Sequence, residues 1–484
     1  MKRILFVLVS LISSTYFAQD VRDIVRFSET QVYGSARFEA MAGSFGALGS
    51  DLSSAAVNPA GFGRYSSSAF GTTFQFTSIL NKAAFNTIET QTQANNFKLN
   101  NLGFVFTSDV SERNKGFIFQ QIGFTYNRIQ NFDNSYTYSG TQFKSLLDAF
   151  CDIANGITED QLYSNLPFSS DLAYQTYAID PDGNTSYLPR LGSTNMNHKR
   201  TVKNAGGISE YNINLSGNYM NKLYIGANIG FRTTKFSEDT YHHEVAVYNP
   251  DFSLDSFDYQ FHLKTKGSGK NIKVGVIYLP MESFRLGLSF QSSTTYKLAD
   301  DFNANMISYH KDTTYSIADE WVPTGKYNYK LKTAGKIVAS AAYVFGTRGA
   351  INVDAELVNH DRSRLKPDLS FDPMAYNFNP ENQVSRENLR TVINLRIGGE
   401  LVFNSQYFIR GGFALYPSAY DPKINPAKGA QIFSGGIGFK WKKSALDLTL
   451  KVEHRNFNYY AFNESLTVVN SFRNGIVFNY SVNF

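Results

Sequence analysis

The chain has 484 residues, 15% of them aromatic (41 Phe and 30 Tyr) and only 18% charged, and its formal net charge of +5 is spread without a cationic run. That composition suits strands with one apolar face, and it excludes nucleic acid as a partner, which needs clustered Lys and Arg. Cys151 is the single cysteine, so an internal disulfide, a CxxC redox pair and a Cys-rich zinc site are excluded as well.

The first residues, MKRILFVLVSLISSTYFAQ, set Lys2 and Arg3 before an apolar run from Ile4 to Leu11. This is the layout of a secretory signal peptide over residues 1–18, with cleavage expected after Ala18. No later stretch of about eighteen apolar residues follows, which excludes helical membrane spans and leaves an exported soluble protein or a barrel.

Residues 19–68 are dominated by Gly, Ala and Ser, as in GSARFEAMAGSFGALGSDLSSAAVNPAGFG from Gly34 to Gly63. Small residues allow close backbone packing in a confined space, so this segment is expected to be a hatch folded into a barrel from below. The glycines at 43, 46 and 49 are not spaced as a dinucleotide fingerprint, and no strand precedes them.

Period-two alternation begins at Ala69–Ile79, Asn101–Thr107 and Gly116–Arg128, with a long loop expected between the first two. It is clearest in EYNINLSGNYMNKLYIGANIGFR, where Tyr211, Ile213, Leu215 and Tyr219 share one face and Glu210, Asn212, Asn214 and Asn218 the other. From there, short turns near Pro280, Gly346, Asn404 and Lys442 alternate with long polar loops at 234–255, 292–325, 359–389, 417–429 and 455–474. One trimmed end and one decorated end is the pattern of an outer-membrane barrel, and it makes residues 256–279 and 326–345 one strand each.

The first of those two strands slips parity at GSG, which predicts a β-bulge at Gly267–Gly269. The second keeps Tyr327, Tyr329, Leu331, Ile337 and Tyr343 on one outward face. Phe284, Phe345, Phe403, Tyr407 and Trp441 flank the short turns as an aromatic girdle, and the chain closes on an alternating strand ending at Phe484. The reading is all-β: a fourteen-stranded antiparallel transmembrane barrel over residues 69–484.

If the apolar face meets lipid, the opposite face lines the lumen. It carries interspersed charges such as Asp354, Glu356, Arg396, Glu400, Arg410, Asp447 and Lys451, which would line water in an open porin and would pair with one another and with the plug in a plugged barrel. It also carries Val105, Phe119, Ile277, Val338 and Phe408, which read either as an apolar ligand path or as ordinary plug contacts. No cofactor and no metal-ligating set is called for, and the seven His are expected mostly in loops or strand ends near them. His454 is the one candidate general base near a loop end and has no nucleophile motif beside it, so the protein is not expected to be an enzyme.

The stretch from Gly34 and Arg37 through Asp51 to Asn58-Pro59-Ala60-Gly61, just before the first strand, resembles the FadL/TodX (OMPP1) family of outer-membrane transport proteins in its Bacteroidetes form. The resemblance implies passive transport of long-chain fatty acids or other hydrophobic small molecules, through the lumen and sideways into the bilayer at a kink in the third strand. Gly116 and Gly123 are the candidates for that kink. It also implies an extracellular groove on helical loops, which Phe143, Leu147 and Phe150 of FKSLLDAFCDIANGI match, although the same face can simply pack on neighbouring loops. The implied partners are a fatty-acid-like ligand, outer-membrane lipid and the barrel assembly machinery, the protein itself being a monomer. The alternative is a structural or surface-binding barrel, a haem-binding receptor included, whose plug stays closed.

Overall fold

The computed structural model describes residues 21–112, 116–191, 195–248, 253–370, 376–462 and 465–484. The expected signal peptide lies outside them. Fourteen antiparallel strands form a closed barrel. They are β1 (Ala69–Phe85), β2 (Ile88–Asp109), β3 (Phe117–Asn131, continuing over Asn134–Gln142), β4 (Met196–Tyr219), β5 (Leu223–Ala246) and β6 (Leu254–Met281). Next come β7 (Phe284–Gln291 and Thr295–His310), β8 (Thr324–Lys332 and Lys336–Val344), β9 (Gly349–Asn359) and β10 (Thr391–Phe403). The last are β11 (Tyr407–Tyr416), β12 (Gly429–Trp441), β13 (Ser444–Tyr460) and β14 (Leu466–Asn483), and β14 pairs with β1 from Ala69↔Asn483 to Phe85↔Thr467. No edge is left unpaired at closure, as a lipid-spanning sheet requires.

The two faces differ as the alternation demands. Ile213, Leu215, Ile225 and Ile229 point outward and are exposed, while Glu210, Asn212 and Asn214 on the opposite parity are buried. At the trimmed end, Tyr407, Phe439, Trp441 and Tyr480 form a run of ring contacts with centroids 5.2 to 6.5 Å apart. The turns there are tight enough to force positive φ on Met220, Asn221, Asn404, Ser405 and Lys442. An outward apolar belt with an aromatic rim makes this an outer-membrane barrel.

Inside, the charges pair. Arg232 Nε lies 2.6 Å from Glu210, Arg396 and Lys336 each reach Glu356 at 3.2 Å, and Arg410 bridges Glu400 and Asp447 at 2.5 and 2.6 Å.

Several strands run much further than their alternation suggests. Between β1 and β2 there is no long loop, only the turn at Asn86 and Thr87, and β5, β7, β13 and β14 extend through most of what reads as loop. Nor is there a bulge at Gly267–Gly269, because β6 keeps one register against β5 throughout. What changes is the environment: near the loops the inward side becomes apolar, with Phe257 and Leu263 buried and Lys264 and Lys266 outside. β8 behaves likewise. It breaks at Thr333–Gly335, and Tyr329 and Leu331 face inward and are wholly buried, whereas Ile337 faces outward.

Candidate functional site: a capped cavity beside a seam in the wall

The N-terminal segment packs against inward-facing side chains. Helix α1 (Val21–Ser28) has its apolar face buried, with the Phe27 ring 5.8 Å from Phe132 and 6.4 Å from Tyr296. Ser28 Oγ lies 3.0 Å from Nδ1 of His360, a buried loop imidazole that burial pushes down to about 4. Helix α2 (Ala36–Ala40) follows, and Asp51 and Asn58 then start two short turns of 3₁₀ helix by accepting from the N–H groups of Ser53 (2.8 Å) and Ala60 (3.1 Å). Short polar side chains at such positions satisfy donors that the turn itself leaves free.

The same residues are keyed to the wall. Arg37 makes a two-pronged bond to Glu400, both distances 3.0 Å, and Asn58 Nδ2 donates to the Gly46 carbonyl (2.7 Å) and the Val276 carbonyl (3.2 Å). The Pro59 carbonyl accepts from Ser216 Oγ at 2.8 Å. Gly34 and Gly61 face Ser53 and Ser54, where a Cβ would sit 2.6 and 2.5 Å from the hydroxyls, and one on Gly46 would sit 2.0 Å from Ser340 Oγ. Small residues are thus needed where the segment folds on itself, at Gly34 and Gly61, and where it meets the wall, at Gly46.

Above this segment lies a cavity of about 130 Å³. Arg26 of α1 forms its floor, while Leu146 and Phe150 of the loop helix α3 (Leu146–Ala154) and Phe168 cover it. Its wall includes Arg200, Tyr259, Phe261 and Tyr459. Arg200 is buried, its guanidinium 5.8 Å from the Tyr459 ring centre, yet Nε and Nη1 have no hydrogen-bond partner. Among the described residues no carboxylate forms an ion pair with it. A buried cation without an anion is costly.

The wall parts beside this cavity. β2 and β3 pair only from Asn101↔Asn127 to Asp109↔Phe119. At the point of separation each strand carries an extra residue: Asn100 in β2, where the register against β1 shifts, and Ile129 in β3, where the register against β4 shifts. Bulges bend a strand and end its pairing, and two facing ones let the partners diverge. Beyond them, β3 stays with β4 and touches β2 through side chains, as in Thr137 N–H donating to Thr92 Oγ1 at 3.2 Å.

The bend also needs Gly206 of β4, whose φ is +114° and where a Cβ would lie 2.1 Å from the Lys235 carbonyl. On the lumen side, Gln31 and Tyr33 donate their backbone N–H groups to the Ile129 and Arg128 carbonyls at 2.9 and 2.8 Å. The cavity floor adjoins this bend, since Arg26 stacks 3.9 Å over Phe236 and Phe236 packs 5.4 Å from Phe132.

The sequence-derived candidates fall differently. Gly116 and Gly123 are not at the bend: Gly116 precedes β3, and Gly123 makes room for Phe62, whose ring would be 2.3 Å from a Cβ there. Val105 packs with Leu52 and Phe62, Ile277 with Ala60, and Val338 with Phe38 and Met41, so these three are contacts of the N-terminal segment rather than a path. Phe119 is half-buried near the trimmed end, and Phe408 lines a separate polar cavity of about 450 Å³ with Arg37, Asp51 and Arg410. The loop helix forms no open groove, because Leu147 and Phe150 are buried and exposed Phe143 precedes the helix. Phe150 lies under that surface as part of the cavity lid, its ring 5.3 Å from Tyr259. Cys151 of the same helix is packed in a core, where burial pushes its thiol up to about 12.

The architecture matches solved structures along nearly its whole length. The Pseudomonas putida toluene transporter TodX aligns with 93% of this chain and 99% of its own, at 13% identity and a TM-score of 0.53. A Pseudomonas aeruginosa FadL homologue aligns with 94% of this chain and 98% of its own, at 13% identity and a TM-score of 0.55. This is the TodX and FadL-homologue fold. No family model matches the chain, and no curated protein matches its sequence. Within the TodX-like barrel, the residues that sequence reading missed are Arg200, the bulge pair Asn100 and Ile129, and Gly206. Only Gly206 carried a local signal, as part of Ala205-Gly206-Gly207 inside an otherwise alternating run.

Proposed function

We propose that the protein carries hydrophobic small molecules, fatty-acid-like amphiphiles among them, passively across the outer membrane. The ligand enters under the loop helices, rests in the cavity with its polar end on Arg200, and leaves sideways through the seam between β2 and β3 into the bilayer. Residues 19–68 act as a hatch that closes the lumen below. The observation that carries this reading is the adjacency of a capped cavity with an unpaired buried cation to the place where two strands part. An apolar chain needs no aqueous pore, and an exit above the hatch lets the lumen stay shut. The shared fold with a toluene transporter agrees with an apolar cargo. The dense bonding of the hatch to the wall fits a plug that stays in place during transport. The working unit is a monomer, inserted by the barrel assembly machinery.

Deleting Ile129 tests the route. Removing the extra residue lets Arg128↔Ser209 and Gln130↔Ile208 follow in one register, which straightens β3 against β2. Uptake of a labelled fatty acid should fall by about tenfold or more while the barrel still shows heat-modifiable migration, because closing the exit blocks each molecule. Unchanged uptake by the inserted variant would exclude the seam as the exit.

A further inference from the structure

Three metal-ligating side chains that transport does not use meet on the inner face of β4 and β5. His198 stands opposite Glu244 in register, and His242 precedes Glu244 by two positions on the same strand face. Their ligand atoms all lie within 4.8 Å of one another, and the three side chains are wholly buried. The rings of Phe85 and Phe462 stand 6.1 and 5.9 Å from His198, and that of Phe257 stands 6.2 Å from His242. Water is therefore poorly placed to satisfy them.

Glu244 Oε1 is 2.6 Å from His242 Nε2 and 3.1 Å from His198 Nδ1. Hydrogen bonding accounts for only part of this arrangement. Neither nitrogen of His198 makes a hydrogen bond, although Nδ1 lies beside the carboxylate, and His242 Nδ1 makes none. Buried polar atoms left this way are unfavourable, and a cation shared by the converging groups would use the His198 Nδ1 and His242 Nε2 lone pairs together with the carboxylate charge.

We propose that His198, His242 and Glu244 bind a divalent transition-metal ion of the zinc class. Two imidazoles and one carboxylate suit a borderline ion and do not suit magnesium or calcium, which take oxygen ligands. The ion would also fix the lid of the cavity. Glu244 already accepts from Ser145 Oγ (2.6 Å) and Leu146 N–H (2.8 Å), so it holds the first turn of α3 against the wall. Arg200, paired in register with His242, opposes a second positive charge nearby and weakens binding.

The test uses the full chain in detergent, stripped with chelator and equilibrated with Zn²⁺ or Co²⁺. The wild type should keep about one equivalent of Zn²⁺ after dialysis, and its Co²⁺ form should show the strong visible absorption of a four- or five-coordinate site with nitrogen ligands. His198→Gln and His242→Gln should each lose both, with heat-modifiable migration confirming insertion, and Arg200→Met should bind Zn²⁺ more tightly. Binding well below one equivalent, or equal binding by wild type and both inserted His variants, overturns the proposal. Where a variant does not insert, the wild-type Co²⁺ spectrum decides alone: weak octahedral absorption overturns the site, and the strong form upholds it.

Discussion

Lys98 Nζ lies 2.9 Å from Asp133 Oδ2 across the seam, tying β2 to the stretch of β3 that has left its backbone ladder. Asp133 is held from the other side as well, since its Oδ1 accepts the Gly206 N–H at 2.9 Å. The two partners are therefore unequal. Lys98 is partly exposed, and an exposed pair contributes about 1 kcal/mol at most, so Lys98→Ala should raise uptake only a few-fold. Asp133→Ala also strands the Gly206 N–H at the bend, and it should loosen residues 88–99 in hydrogen exchange more than Lys98→Ala does. Equal protection of those residues in both variants would show that the aspartate does not hold the seam.

Removal of Glu39–Asp51 tests the hatch. This stretch holds Gly46, whose N–H donates to Asp354 Oδ1 at 3.2 Å, and Glu39, whose carboxylate pairs with Lys451 at 2.9 Å. Deletion leaves the strands intact, so the barrel should insert and leak. Permeability to a large antibiotic is the readout, and no increase in an inserted variant would mean that the stretch does not plug the lumen.

How much of this was legible follows from particular residues. The alternation of Tyr211, Ile213 and Leu215 against Glu210, Asn212 and Asn214 marks a strand with one apolar face, and the alternation of short and long connections turns that face to lipid, because an outer-membrane barrel is trimmed at one end and decorated at the other. Near the loops that logic reverses. Leu263, Tyr329 and Leu331 face inward onto α1 and loop residues, and read from sequence they mimic a bulge or an outward stripe. His242 and Glu244 were hidden for the same reason, since their stretch resembles a polar loop and only the pairing of β4 with β5 brings His198 to them. Arg200 looks like any lumen charge until the carboxylates that share its cavity, Asp23 and Glu238, are seen to pair with Arg26 and not with it.

Acid should release α1. The buried His360 is held down to about 4, below its ordinary 6.5, so the unfolded imidazole takes up a proton over that window while the packed one does not. Stability is therefore full above pH 6.5 and falls as the pH drops towards 4. The loss amounts to about 3 kcal/mol at most for a shift of this size. Hydrogen exchange over Val21–Ser28 should quicken through this window in the wild type and much less in His360→Asn. An identical pH profile for the two would remove His360 from the cause.

Arg200 distinguishes classes of cargo. If it receives the polar end of an amphiphile, Arg200→Met keeps the apolar volume of the cavity and removes the charge-assisted bonds. Such bonds contribute about 1.5–3 kcal/mol, so affinity for a long-chain fatty acid should drop roughly 10- to 100-fold. A neutral hydrocarbon of similar size makes no such bond and should bind at least as well as before, since a buried, unpaired cation has been removed from its surroundings. Fluorescent-probe displacement from the purified barrel measures both. A parallel loss for acid and hydrocarbon would mean that Arg200 shapes the cavity without reading the ligand's charge. Unchanged binding of the acid would place its carboxylate elsewhere, with the polar cavity lined by Arg37 and Arg410 as the next site to test.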